Sequence, residues 1–139
     1  MNIFEIYLEK IKKILIRLSD EKSLIIPSKM HNINVELPPV KFKCDLSTNV
    51  AMVLSKINKK SPLLIAEQLK CFIQDLEGVE NVNIQNPGFL NINLTSEYWN
   101  NFLKELLLSG DNYGVNKNIK KRKYLVEFVS ANPTGPLHV

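Results

Sequence analysis

Residues 82–94 read VNIQNPGFLNINL, and the alternation of apolar and polar residues in this stretch decides the fold. Successive side chains of a strand point to opposite faces, so each half predicts a strand with one apolar and one polar face. The residues between the halves, Asn86-Pro87-Gly88, are typical turn formers. The stretch therefore predicts a β-hairpin that turns Leu90, Ile92 and Leu94 toward a core. Phe89 and Asn91 then point the other way.

Amphipathic helices are predicted on both sides of this hairpin. Apolar residues at spacings of three and four mark a first helix over residues 4–18. Ser47 or Thr48 is suited to cap a second helix that starts near Val50. Ser61-Pro62 is typical of the start of a third helix, which Gly78 ends. Thr95 caps a fourth helix that Gly110 ends, with an apolar face formed by Trp99, Phe102, Leu103, Leu106 and Leu107.

A further short strand is predicted where Ile33, Val35 and Leu37 alternate with polar residues. Together these elements predict an α+β domain, in which about four helices pack on one side of a small antiparallel sheet. The final apolar run, residues 124–129, is typical of a buried parallel strand. It predicts that a second domain begins there and is truncated.

Composition and charge exclude several classes of protein. The chain has 139 residues, of which 45% are hydrophobic and 23% are charged, as in globular proteins. No apolar run is long enough to span a bilayer, and Cys44 and Cys71 stand alone, which predicts a reducing, cytoplasmic setting and no metal site. The net charge of +4 comes almost wholly from five Lys/Arg residues between Lys117 and Lys123. The residues before this run are close to neutral, so an overall excess of positive charge there is excluded as a means of binding nucleic acid.

The last fourteen residues, VEFVSANPTGPLHV (residues 126–139), carry a resemblance to a known family. The segment resembles the opening of the catalytic domain of bacterial arginyl-tRNA synthetases, where it leads into the class I HIGH signature. His138 and Val139 match the start of that signature. The resemblance implies a Rossmann-type catalytic domain whose first strand begins at residue 124, after a domain at residues 1–112 and a basic linker at residues 113–123.

Roles for individual residues follow from this resemblance. His138 is implied as the first signature histidine and as catalytic, and Thr134 and Gly135 are implied to bind ATP with it. Three other residues are implied to contact the arginine substrate: Glu127, Ser130 and Asn132. A carboxylate at the end of an apolar strand is costly unless it is paired, and a cationic amino acid would pair with it. Which end of arginine Glu127 meets stays open.

The body of the chain is similar to the additional N-terminal domain of the same family. Residues 43–52, KCDLSTNVAM, resemble a family stretch that reads His-Gly-Asp-Tyr-Ala-Thr-Asn, with Lys43-Cys44 in place of His-Gly. Asp45 and Asn49 match this stretch. Contact with RNA or with another domain is one interpretation of the two residues, and helix capping is the favoured one.

The turn of the hairpin carries the implied RNA contact. In related synthetases an Asn, a Phe three residues later and a Gln two residues further read an unpaired base of the tRNA D-loop. Asn86, Phe89 and Asn91 fall on that spacing, with Asn91 in place of the Gln. Proteins read RNA sequence at unstacked bases, by aromatic stacking and hydrogen bonds.

The resemblance thus implies an arginine–tRNA ligase that is monomeric, with tRNA(Arg), L-arginine and ATP as partners and Mg²⁺ in the full-length enzyme. The 139 residues alone are expected to be inactive and to bind no cofactor. Two alternatives stay open: a free-standing RNA-binding module, and another class I nucleotide-activating enzyme.

Overall fold

A computed structural model describes residues 2–115, 123, 125 and 126. In these residues the chain forms four α-helices and four strands: α1 (Ile3–Asp20), β1 (Val35–Glu36), β2 (Leu46–Thr48), α2 (Val50–Asn58), α3 (Pro62–Gln74), β3 (Val79–Gln85), β4 (Phe89–Leu94) and α4 (Ser96–Ser109). Two short 3₁₀ turns cover Val40–Phe42 and Gly110–Asn112. The predicted α+β fold with about four helices and a small antiparallel sheet is confirmed.

The four strands form one antiparallel sheet in the order β1-β2-β4-β3. The predicted hairpin is confirmed, since β3 and β4 pair from Val79–Leu94 to Gln85–Phe89. Residues that face each other across paired strands share one face of the sheet. One face carries Leu90 and Ile92, which are fully buried, and it packs into a single core with apolar residues of α1, α2 and α3.

Helix α1 begins at an Asn2 cap, whose side chain accepts a hydrogen bond from the Phe4 N–H. Its buried face follows the predicted helical period: Ile3, Tyr7, Ile11, Ile14, Leu15 and Leu18. The Tyr7 hydroxyl donates to the Glu77 carbonyl at 2.9 Å, which ties α1 to the turn after α3. Burial, with negative charge from Glu77 among the smaller causes, raises the pKa of this hydroxyl above its ordinary value, so Tyr7 stays a neutral donor.

The capping of the second helix differs from the prediction. Ser47 and Thr48 lie in β2, and Asn49 occupies the cap position before α2. Thr48 still serves the start of the helix, because its hydroxyl accepts a hydrogen bond from the Val50 N–H. The β2 strand was missed because it has only three residues, fewer than an alternation needs to be recognised.

The predicted start of α3 is confirmed, whereas the predicted stop at Gly78 was wrong, because the helix ends at Gln74 with Asp75 at the cap position. The Ser61 hydroxyl accepts from the Leu64 N–H, with Pro62 in the first turn. Gly78 lies beyond the helix with a φ of +81°, and the Tyr98 ring packs where a Cβ would stand. Glycine is therefore required at this position for two separate reasons.

The predicted extent of one strand was wrong, and the exposure of one helix was not predicted. The strand predicted over residues 33–37 is only the pair Val35–Glu36, because the prolines that follow Leu37 cannot donate to a ladder. Helix α4 starts at its Thr95 cap as predicted, yet none of its residues is buried. Its apolar stripe is open to solvent at Trp99, Leu103 and Leu107, which repeat every four residues.

Several predicted features lie outside the described residues. These are most of the basic run at residues 117–123, most of the strand at residues 124–129, and the entire segment from Glu127 onward. The division of the chain near residues 112 and 123 therefore stays a prediction. Within the described residues, no helix combines the length and apolar character that crossing a membrane requires.

The two cysteines should differ in reactivity. Cys71 is exposed, whereas Cys44 is partly covered, and burial together with the charge of Asp45 raises the pKa of the Cys44 thiol. Because the thiolate is the reactive form, iodoacetamide near pH 8 should modify Cys71 well before Cys44. Mass spectrometry of digested samples over time measures both rates, and denaturant should bring them together. Equal rates in the native protein would contradict this assignment.

Candidate nucleic-acid interface

The hairpin turn is held in place by its neighbours. The Gly88 N–H donates to the Gln85 carbonyl at 2.9 Å, and the peptide bond between Asn86 and Pro87 is cis. Gly88 has a φ of +150°, and a Cβ there would lie 2.6 Å from the Cβ of Pro62 at the start of α3. The turn thus packs directly on a helix end, and this packing fixes the residues that flank it.

A cavity of about 200 Å³ lies on the sheet face opposite the core, beside this turn. All three residues of the predicted base-reading set, Asn86, Phe89 and Asn91, line it. The remaining lining residues are Glu36, Pro38, Pro39, Phe42, Ser47 and Gln85. We call this cavity the hairpin pocket. It is smaller than the roughly 300–1,000 Å³ of sites for drug-sized ligands.

The prediction that Asn91 lies on the face away from the core is confirmed by its position, but Asn91 is not on an open surface. Only 6% of it is exposed. Its side-chain oxygen accepts a hydrogen bond from the Ser47 hydroxyl at 2.7 Å. Residues 38–42, which follow β1, contribute the other wall of the pocket and so cover this part of the sheet.

Sequence reasoning missed the residues of that second wall. Pro38, Pro39 and Phe42 were not among the predicted site residues. The signal in the sequence was weak: a lone aromatic residue three positions after two prolines, in a stretch without a regular pattern. Ser47 carried no usable signal, since its role depends on the β2–β4 register.

The charges around the pocket are mixed. The Lys41 ammonium lies 4.9 Å from the centroid of the Phe42 ring, which places a positive charge near the rim. Glu36 brings a carboxylate to the lining. The site therefore offers an aromatic face, amide groups and one charge of each sign.

A larger cavity, of about 530 Å³, lies between α1 and α4 but is a weaker candidate. Lys10, on its lining, is already engaged by the Glu77 carboxylate at 3.6 Å and by the rings of Tyr7 and Tyr98. Four charges of alternating sign line it, at Lys10, Glu77, Lys104 and Glu105. Such a lining favours neither an anionic nor a cationic ligand.

Asp45 and Asn49 have structural roles, although not the helix capping that was favoured. The Asp45 carboxylate accepts a hydrogen bond from the Leu94 N–H at 2.7 Å, at the end of β4. The Asn49 side chain accepts from the Asn34 N–H and donates to the Asn32 carbonyl. It makes no capping bond to α2. Both residues thus join segments that are distant in the sequence.

Where Lys43-Cys44 stands in place of His-Gly, the left-handed residue is Lys43, at the histidine position, and not Cys44, at the glycine position. Lys43 adopts a left-handed conformation, with a φ of +46°, between the 3₁₀ turn and β2. Its carbonyl accepts a hydrogen bond from the Asn93 side chain at 3.1 Å. A non-glycine residue is strained in this conformation, and the bond to β4 helps to hold it.

The other predicted site residues lie outside the described residues. They are Glu127, Ser130, Asn132, Thr134, Gly135 and His138. Their implied contacts with arginine and ATP stay predictions.

The fold resembles part of a solved synthetase. Thermus thermophilus arginyl-tRNA synthetase matches 76% of this chain with a TM-score of 0.53 and 24% identity, and the match covers 16% of that chain. At this identity the likeness shows the fold: an α+β domain of the kind found within an aminoacyl-tRNA synthetase.

Sequence comparisons add the family. Residues 5–94 match the family model for the arginyl tRNA synthetase N terminal domain. The chain is 52% identical over its full length to the arginine–tRNA ligase of Pelagibacter ubique, and 44% identical over 78% of its length to that of Geotalea daltonii. These matches cover 24% and 19% of the two relatives. The chain belongs to the arginyl-tRNA synthetase family, and it spans about a quarter of the length of its Pelagibacter relative.

The role of Asp45 can be tested by stability. Asp45→Ala should lower the free energy of unfolding by about 1–3 kcal/mol, because the Leu94 N–H would lose its partner in a partly buried position. Asp45→Asn keeps an acceptor oxygen and should stay close to wild type. Urea denaturation followed by circular dichroism measures both variants. An Asp45→Ala variant as stable as wild type would return Asp45 to the list of candidate RNA contacts.

Proposed function

We propose that this chain is the tRNA-contacting N-terminal part of an arginine–tRNA ligase, a cytoplasmic enzyme that activates L-arginine with ATP and transfers it to tRNA(Arg). The hairpin pocket receives an unpaired base of the tRNA D-loop. One observation carries the proposal: Asn86, Phe89 and Asn91 line a single cavity of about 200 Å³. Family membership supports it over the alternative of another class I nucleotide-activating enzyme.

The pocket has the chemistry that recognition of a splayed base needs. Phe89 supplies an apolar face for stacking, which contributes roughly 1–3 kcal/mol per base. The amides of Asn86 and Asn91 supply donors and acceptors for the edge of the base. Lys41 is near enough to the rim of the pocket to attract a phosphate on either side of the bound base.

The remaining catalytic roles are proposed from the end of the chain. His138 contacts ATP, with Thr134 and Gly135 beside it, while Glu127, Ser130 and Asn132 bind arginine. A hydrogen-bond donor near the α-phosphate favours adenylate formation, because charge shifts toward pyrophosphate in the transition state. Mg²⁺ would accompany ATP in the full-length enzyme, which we propose to be a monomer.

The pocket is tested by Phe89→Ala in the full-length enzyme. This change should lower kcat/KM for tRNA by about tenfold or more, through KM, since it removes a stacking surface and no reacting group. At saturating tRNA, arginyl-adenylate formation should be intact. Phe102→Ala on α4 is the control, because it removes a partly buried aromatic side chain, like that of Phe89, from a helix that does not line the pocket.

A double change separates base reading from simple stabilisation of the hairpin. Replacing the unpaired D-loop base should cost wild type about as much as Phe89→Ala does, and should cost the Phe89→Ala variant little more. Additive losses would mean that Phe89 only stabilises the hairpin.

The catalytic assignment is tested by His138→Ala in the same full-length enzyme. Formation of arginyl-adenylate, measured with tRNA present, should slow by about a hundredfold or more through lost transition-state stabilisation. The KM for tRNA should change little, which is the reverse of the pattern for Phe89→Ala. Activity within about twofold of wild type would show that His138 is not the signature histidine.

A further inference from the structure

A row of polar side chains crosses the outer face of the sheet. In the ladder, Glu36 lies opposite Ser47, Ser47 opposite Asn91, and Asn91 opposite Asn83. Directly opposite residues share a face, so the four side chains form a continuous line over β1, β2, β4 and β3. The two inner members, Ser47 and Asn91, are 5% and 6% exposed, and both line the hairpin pocket.

The bond between the inner members fixes the orientation of the Asn91 amide. An asparagine side chain has an acceptor oxygen and a donor NH₂ group, and its hydrogen-bond network decides which way each points. The Ser47 hydroxyl donates to the oxygen at 2.7 Å. The NH₂ group of Asn91 therefore lies on the side away from Ser47.

That NH₂ group is available to a ligand. Among the hydrogen bonds of the described residues, none uses the Asn91 side-chain nitrogen. Every fully buried side-chain nitrogen or oxygen of the described residues has a hydrogen-bond partner. Because the Asn91 nitrogen has none among these residues, it is not fully buried and is reached by solvent. Since Asn91 is otherwise buried and lines the hairpin pocket, the pocket is where a partner can meet it.

We propose that Ser47 is a positioning residue, which holds the Asn91 amide so that its NH₂ group donates to an acceptor atom on the edge of the base in the pocket. This inference rests on the proposed function of the pocket. Without the Ser47 hydroxyl, the amide is free to turn over and present its oxygen instead. If the amide can adopt both orientations, the pocket accepts bases with a donor or an acceptor at this edge, and so it discriminates less between bases.

The experiment uses the 139-residue chain and an RNA hairpin with the sequence of the tRNA(Arg) D-arm. A second hairpin carries an abasic site at the unpaired position. The ratio of the two dissociation constants, from NMR titration, reports how much the base contributes. The side-chain NH₂ signals of Asn91 in the ¹⁵N spectrum report directly on its donor, and they should shift with the complete hairpin and not with the abasic one.

The test compares this ratio of dissociation constants between wild type and variants at position 47. Ser47→Ala should lower the base-dependent ratio by about three- to tenfold, the worth of one hydrogen bond. Ser47→Thr keeps a hydroxyl on a strand and should keep most of the wild-type ratio. Asn91→Asp should lose at least as much as Ser47→Ala, since it replaces the donor by a carboxylate oxygen. Asn83→Ala is the matched control, because Asn83 ends the same row and does not line the pocket.

Each outcome decides between the two proposals. If Phe89→Ala abolishes the ratio while Ser47→Ala keeps the wild-type value, the pocket reads a base and the role of Ser47 is wrong. A Ser47→Thr variant as poor as Ser47→Ala would also overturn it, because the loss would then follow from packing. If wild type itself does not distinguish the two hairpins, the proposed function fails and the inference fails with it.

Discussion

The pairing of β2 with β4 is the contact on which the rest of the domain depends. It joins Leu46–Thr48 to residues 42 to 46 positions further along the chain, with Ser47 bonded to Asn91 across the ladder. Closing a loop of this length costs about 3 kcal/mol of chain entropy. The pair also places Leu46 beside Ile92 in the core, and burial of two such side chains offsets that cost. Without it, β1 would have no sheet to join, because it pairs with β2 alone.

The hairpin pocket is a consequence of the same pairing. The segment that joins β1 to β2 lies against the outer face of the sheet before it returns through Lys43. That path lays Pro38, Pro39 and Phe42 opposite Phe89 and Asn91. Prolines suit the path, since they need no partner for a backbone N–H on a face where no ladder is available. One face of the sheet thus supplies the core, and the other supplies the floor of a site.

The sequence predicted what depends on local pattern and missed what depends on long-range register. The hairpin and the Ser61 and Thr95 caps follow from residues close together in the chain, and all are confirmed. The three residues at the turn line one pocket, and their role in reading a base stays a prediction. Strand β2 has three residues and no alternation, so neither its pairing nor the role of Ser47 could be predicted. The exposure of α4 was missed because an apolar stripe predicts that a face is covered and does not identify what covers it.

The charge of the domain bears on what such a site contributes. Over residues 23–115 the chain has eight Lys/Arg against nine Asp/Glu, so the part that holds the hairpin pocket is close to neutral. Affinity for RNA that comes from neutralising phosphates applies to every sequence and weakens steeply with salt. A neutral surface supplies little of that affinity, and it also avoids binding the wrong RNA tightly. Under the proposed function, contacts to one base by stacking and an oriented amide would make up most of what this domain adds. Its proposed contribution is then mainly to the choice of tRNA rather than to general affinity.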